Sequence, residues 1–239
     1  MIPSPPHPFR LLAISDARAR RPFGDLASWC DALAATWRRG APASTPGLAV
    51  QIRDKDAGDA ARLALARTAR ARLAPHGIGV WLNGRIDLAR AAGADGVHLP
   101  AAGVPLAVVR PHAAAHALGV GVAGHDLDDV DDARRDGADY STFGPIFPTP
   151  SKPDRDADAM PGPDGLRAAV ARAGALPLIA LGGLDDVARC DAAIAAGAAA
   201  VAGIRLFHDL DALQQLRDAA ATLPWQRAPV AAQRTRATA

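Results

Sequence analysis

Eight short apolar runs recur along this chain at nearly regular intervals, and the stretches between them have helical composition and period. The runs are Arg10 to Ser15, Gly47 to Ile52, Gly79 to Leu82, Gly96 to Leu99, Leu118 to Val122, Asp139 to Phe143, Pro177 to Leu181 and Ala200 to Ile204. Helical stretches between them include Leu26 to Arg38, Ala60 to Leu73, Leu127 to Arg135, Asp164 to Ala173 and Asp185 to Ala195. Eight strands alternating with helices point to an α/β protein, a closed parallel TIM (β/α)8 barrel in a single domain. An open doubly wound sheet is the competing architecture. It normally has fewer strands, and its fingerprint of three spaced glycines is absent after the first run. The 239 residues suffice for one barrel.

An internal echo supports the barrel. Ala92-Gly93-Ala94-Asp95-Gly96-Val97, Asp136-Gly137-Ala138-Asp139-Tyr140 and Ala196-Gly197-Ala198-Ala199-Ala200-Val201 each place a glycine where a helix ends and a strand begins. Glycine tolerates the left-handed conformation that stops a helix, so the same joint is used three times. The pattern bounds a short N-terminal extension (1–9), the barrel (10–222) and a basic tail (223–239), which is expected to be disordered and to add nothing to the core.

The formal charge of +2 is close to balance, and the arginines are spread along helical stretches such as Arg62 to Arg72. Nucleic acid is therefore a poor first guess. Cys30 and Cys190 show no metal-type spacing, which fits packed thiols in a reducing cytoplasm. The first eight residues hold four prolines and no signal-peptide pattern, and no apolar run is long enough to span a membrane. The expectation is a soluble cytoplasmic protein, with a homo-oligomer left open.

Candidate chemistry collects at the carboxyl ends of the strands, where a barrel of this kind builds its site. Gln51, Arg53 and Lys55 alternate there, and a period of two puts all three on one face if the extended chain persists that far. Two cations and an amide at a barrel mouth suit a diphosphate or a phosphorylated ring; exposed charges on a loop are the plainer alternative. Asn83 either bonds a heterocycle or caps the next helix. His98 is read as structural, and His125, where a loop begins, as the better acid–base candidate. Gly144-Pro145-Ile146-Phe147-Pro148-Thr149-Pro150-Ser151-Lys152 offers hydroxyls, N–H groups and an ammonium to an anion, or is a Pro-rich surface turn. The loop over 145–163 is either a lid or an insertion. Gly182-Gly183 and Gly203-Ile204-Arg205 end the last two strands, a common place for phosphate.

Gln51-Ile52-Arg53-Asp54-Lys55, Asn83-Gly84-Arg85-Ile86-Asp87, Gly93 to Leu99, Gly137 to Tyr140 with Gly144 to Lys152, and Ala180-Leu181-Gly182-Gly183 together resemble the thiamine phosphate synthase family and its TenI-type relatives. The resemblance runs in order over about Arg10 to Phe207. It implies a TIM barrel that either joins a pyrimidine diphosphate to a thiazole phosphate, releasing diphosphate with magnesium, or tautomerises a thiazole carboxylate phosphate. By resemblance, Gln51, Arg53, Lys55 and Asn83 hold the pyrimidine diphosphate, and Thr149 and Ser151 the thiazole phosphate partner. Lys152 takes the diphosphate, Gly183 with the backbone near Ile204 the thiazole phosphate, and His125 is the TenI-type acid–base group. Arg205 stands where the family has a small hydroxyl residue. Gly84 and the run Pro100-Ala101-Ala102-Gly103 stand where the synthase has magnesium carboxylates, so the expected metal ligands are none. Tautomerisation needs only a phosphate anchor and one proton-moving group, and that makes a TenI-like tautomerase the first expectation. Synthase with an altered metal site and a non-catalytic binding paralogue are the alternatives.

Overall fold

The computed structural model describes residues 9–18, 20–39, 47–150 and 160–220, with 223 and 230. Among them, eight parallel strands close into a barrel in sequence order, β1 (Leu11–Ile14), β2 (Leu48–Ile52), β3 (Gly79–Asn83), β4 (Gly96–Leu99), β5 (Gly119–Gly124), β6 (Tyr140–Phe143), β7 (Leu178–Leu181) and β8 (Ala200–Gly203). Leu11 to Ala13 pair with Val201 to Gly203, which closes the ring. Outside lie α1 (Leu26–Arg38), α2 (Asp59–Leu73), α3 (Ile86–Ala92), α4 (Leu106–Ala115), α5 (Leu127–Arg135), α6 (Gly162–Ala173), α7 (Val187–Ala195) and α8 (Leu210–Ala220). The single-domain barrel is the architecture expected from the alternation. None of these helices is long and apolar enough to cross a membrane.

Alternation along each strand separates two cores. Leu11, Val50 and Leu82 face the helices, whereas Leu12, Ala49 and Trp81 face the barrel axis. The axis is filled at its floor by Phe9, Trp81 and Tyr140, with ring centroids 5.1–6.0 Å apart in edge-on contact. Glycine makes room for them. A Cβ on Gly96 would lie 2.4 Å from the Trp81 ring, and one on Gly121 would lie 2.0 Å from the Tyr140 ring. Three of the chain's ten Phe, Trp and Tyr residues thus plug the cylinder at its floor.

The floor corrects two boundaries. Phe9, assigned to the extension, is buried, and Val230, assigned to a tail without a core role, is buried against it. Their backbones exchange two hydrogen bonds of 2.9 Å. An apolar floor open to water would cost burial free energy, and this antiparallel bridge covers it.

The repeated joint behaves as its glycines require. Gly93, Gly137 and Gly197 have φ of 67°, 78° and 101°. The residue after each donates to a carbonyl five positions back, in Ala89, Ala133 and Ala193. In the first two copies the aspartate that follows accepts the N–H of the preceding strand: Val80 N–H to Asp95 and Val120 N–H to Asp139, both 2.7 Å. Arg70 and Arg110 complete the two sites at 3.3 and 2.8 Å. The third copy has Ala199 in that position and keeps only the backbone bond to Leu178.

Candidate active site

The mouth is built by the loops after the strands. Strand β2 ends at Ile52, so Gln51 is the last strand residue facing the axis and Arg53 is the first beyond it. Gln51 is 2% exposed. Its Nε2 donates to Asn83 Oδ1 at 3.0 Å, while its Oε1 has no partner. A buried acceptor without a donor is costly. Asn83 thus joins Gln51 rather than capping α3, which begins after Arg85 with no side-chain cap.

Arg53 is half-buried above this amide pair. Burial pushes its guanidinium below its ordinary range, and the field of Asp16 partly offsets that. Its N–H is fixed by Ser15 Oγ at 3.0 Å. Among the described residues the guanidinium itself has no ion pair or hydrogen bond. A desolvated cation without an anion is what an anion site looks like before its ligand arrives. Lys55 departs from expectation: the strand does not continue to it, it lies in a bend, and its side chain is exposed. The shared face stops at Arg53.

Below Arg53 lies His98, 3.2 Å through Nδ1 from the Tyr140 hydroxyl. Burial, with Arg53 adding, pushes His98 down to about 3. It is a neutral structural group. Between about 3 and the ordinary value of 6.5 the unfolded chain binds one proton more than the fold. Stability is therefore expected to fall as pH drops through that window, by up to about 1.4 kcal/mol per pH unit. His208, also lowered by burial, acts in the same direction. Thermal melts from pH 7 to pH 5 should show a shallower slope for His98→Gln than for the parent; equal slopes would acquit His98.

On the opposite side, the loop after β6 is stitched to the end of β7. Ile146 N–H donates to Leu181 O at 3.0 Å and Phe147 N–H to Gly182 O at 3.1 Å. The approach is close enough that a Cβ on Gly144 would lie 1.9 Å from Leu181 O. Gly182 and Gly183 have φ of 98° and 68°, which a side chain would strain. This brings Thr149 and Gly183 into one loop cluster. Ser151 and Lys152 lie outside the described residues, as does the rest of 151–159 within the 145–163 loop.

His125 follows β5. Its Nδ1 lies 2.7 Å from Gly144 O, and because a carbonyl only accepts, Nδ1 carries the proton and Nε2 keeps the lone pair. Its own N–H is held by Asp129, and Asp126 caps α5 by accepting from Asp129 N–H. Ile204 and Arg205 follow β8. Arg205 pairs with Asp185, so it links the loops after β7 and β8. Three residues that the motifs did not single out brace the same loops. Arg189 donates to Gly183 O at 2.9 Å and lies over the Phe147 ring. His208 bonds Ile204 O at 2.7 Å while stacked on Trp29. Arg20 reaches Asp54 at 3.2 Å. The Arg20 pair and the ring contacts of Arg189 and His208 have no signal in sequence, because their partners lie far off in the chain.

The magnesium that the resemblance implies finds few donors at this mouth. Gly84 has a φ of 83° and no side chain. Pro100 to Gly103 offer no carboxylate, and Asp54 and Asp126 are taken by Arg20 and the α5 cap. Among the described residues no three His, Cys, Asp or Glu side chains cluster as a metal site. Among the described residues the donors do not fit the ion.

Fold and mouth define a (β/α)8 barrel with a half-buried arginine at its mouth. Residues 33–207 match the family model described as thiamine monophosphate synthase, TMP-TENI. The chain is 36% identical over 224 residues to a thiamine-phosphate synthase of Mycobacterium marinum, covering 90% of this chain and 93% of that one. A thiamine-phosphate synthase of Chloroflexus aurantiacus is 37% identical over 171 residues, 70% of this chain and 77% of that one. The solved thiamine phosphate pyrophosphorylase from Pyrococcus furiosus shares the fold, with a TM-score of 0.74 at 24% identity over 90% of this chain and 97% of that one. The chain belongs to the thiamine monophosphate synthase family.

Proposed function

We propose that this protein is a thiamine-phosphate synthase, joining hydroxymethylpyrimidine diphosphate to a thiazole phosphate. The observation that carries this reading is the unpaired, half-buried Arg53 over the orphaned Gln51 amide. That is a second anion-and-heterocycle place facing the Gly183 loops, and a tautomerase acting on one phosphate has no need of it. The named relatives are synthases, which favours coupling over the tautomerase expected from the missing carboxylates.

In this reading the pyrimidine ring sits on Gln51 and Asn83, with Gln51 Oε1 accepting a ring-amine N–H. Arg53 holds the diphosphate, with Lys55 and Lys152 reaching it from their loops. Thr149, Ser151, Gly183 and the backbone at Ile204 hold the thiazole phosphate, and Arg205 stands beside it while paired to Asp185. The methylene C–O bond breaks, and its electron pair leaves with diphosphate. The thiazole nitrogen lone pair forms the new C–N bond. Charge grows on the leaving oxygens, and a preplaced guanidinium stabilises it without reorganising at that moment.

A second reading keeps one specific support. His125, with Nδ1 anchored on Gly144 O and Nε2 free to take a proton, suits a tautomerase. Incubation with both synthase substrates, with and without magnesium, is expected to give thiamine phosphate and diphosphate. No coupling at high enzyme concentration, with thiazole carboxylate phosphate tautomers interconverting by NMR, would replace the first reading by the second. Binding without either turnover would leave a non-catalytic paralogue.

A further inference from the structure

We infer that Arg20 is a positioning residue that keeps Asp54 away from Arg53, so that Arg53 stays open for the diphosphate; this rests on the reading above. The loop after β2 carries four charges in a row, Arg53, Asp54, Lys55 and Asp56, the last of them exposed. A carboxylate next to the anion-binding guanidinium is a hazard, because it repels the ligand and offers Arg53 an internal partner. The fold removes it by direction. The backbone N–H of Arg53 is held by Ser15 Oγ, while Asp54 meets the loop between β1 and α1, where Arg20 takes its Oδ2 at 3.2 Å. The backbone is pinned at the same point: Arg62 donates to the carbonyls of Asp54 and Lys55 at 3.2 and 3.0 Å.

Arg20 is badly placed for a merely stabilising role. It is 7% exposed, and its Nη1 is buried with no partner. Its single ion pair is therefore bought with an unsatisfied donor, and buried pairs of this kind are weak contributors to stability. Asp16, the carboxylate whose field reaches Arg53, turns its Oδ1 to the N–H of Arg18 in its own loop. With Asp16 and Asp54 both engaged elsewhere, the guanidinium of Arg53 is left unpaired.

The experiment is calorimetric titration of the full chain with inorganic diphosphate, alongside thiazole phosphate as a control. Arg20→Met frees Asp54 to pair with Arg53 and is expected to weaken diphosphate at least tenfold while leaving thiazole phosphate within about threefold. Arg20→Met/Asp54→Asn removes the competing charge and is expected to recover diphosphate binding to within about threefold of the parent. The double variant removes both partners of the Arg20–Asp54 pair, so neither is left orphaned, and it reads the effect even if the single variant folds poorly. Parent-like diphosphate binding by Arg20→Met would overturn the inference, as would a double variant as weak as the single one. A parent that takes thiazole phosphate but no diphosphate would overturn the synthase reading, and this inference with it.

Discussion

Gly121→Ala is expected to destabilise the protein by about 3 kcal/mol, the upper end of overpacking penalties. The new methyl would lie 2.0 Å from the Tyr140 ring. That ring cannot yield, because Phe9, Trp81 and His98 pack around it. For a chain of this size the loss corresponds to roughly 6–12 °C in Tm. The cause is specific and can be separated from backbone effects. Tyr140→Leu alone opens a void, but in the Gly121→Ala background it relieves the clash, so the double variant should lose less than the two singles summed, by at least about 1 kcal/mol. Additive losses in thermal or denaturant melts would mean that ring and glycine do not meet.

Arg53→Met is expected to do two opposite things. Activity should fall by about 10²–10³, the usual effect of removing a donor aimed at developing charge. Stability should rise by about 1 kcal/mol, seen as a Tm higher by roughly 2–4 °C, because a desolvated cation without an anion is replaced by a side chain of similar volume that prefers burial. A site that stores strain for its ligand behaves in this way. Unchanged kcat/KM, or a Tm that falls, would show that Arg53 is structural.

How far these features could be read from the chain depends on whether their physics is local. Leu26–Arg38 and Leu127–Arg135 were legible to the residue, because an apolar period and an aspartate cap are written side by side in each. Helix α3 has seven residues, too few to show a period, and α4 follows Pro105, contains Pro111 and leaves Val108 exposed, so its pattern is blurred. Gln51 was legible because a polar residue at an axis-facing strand position needs a reason. The barrel floor was not, since Phe9 and Val230 meet only after the whole ring has closed. Nor was Arg20, one guanidinium among several in Arg18 to Arg21, whose partner lies 34 positions away. The missing carboxylate at Gly84 was visible at once, whereas the engagement of Asp54 and Asp126 elsewhere needed coordinates.

The aromatic plug under the axis has a kinetic consequence. A vessel stoppered at its base is filled and emptied through one opening, so whatever rests on the Gln51 amide has to arrive before, and depart after, anything lodged nearer the rim. Turnover on such a plan is sequential, and a spent fragment lingering at the lip should obstruct the next round competitively toward the inner reactant.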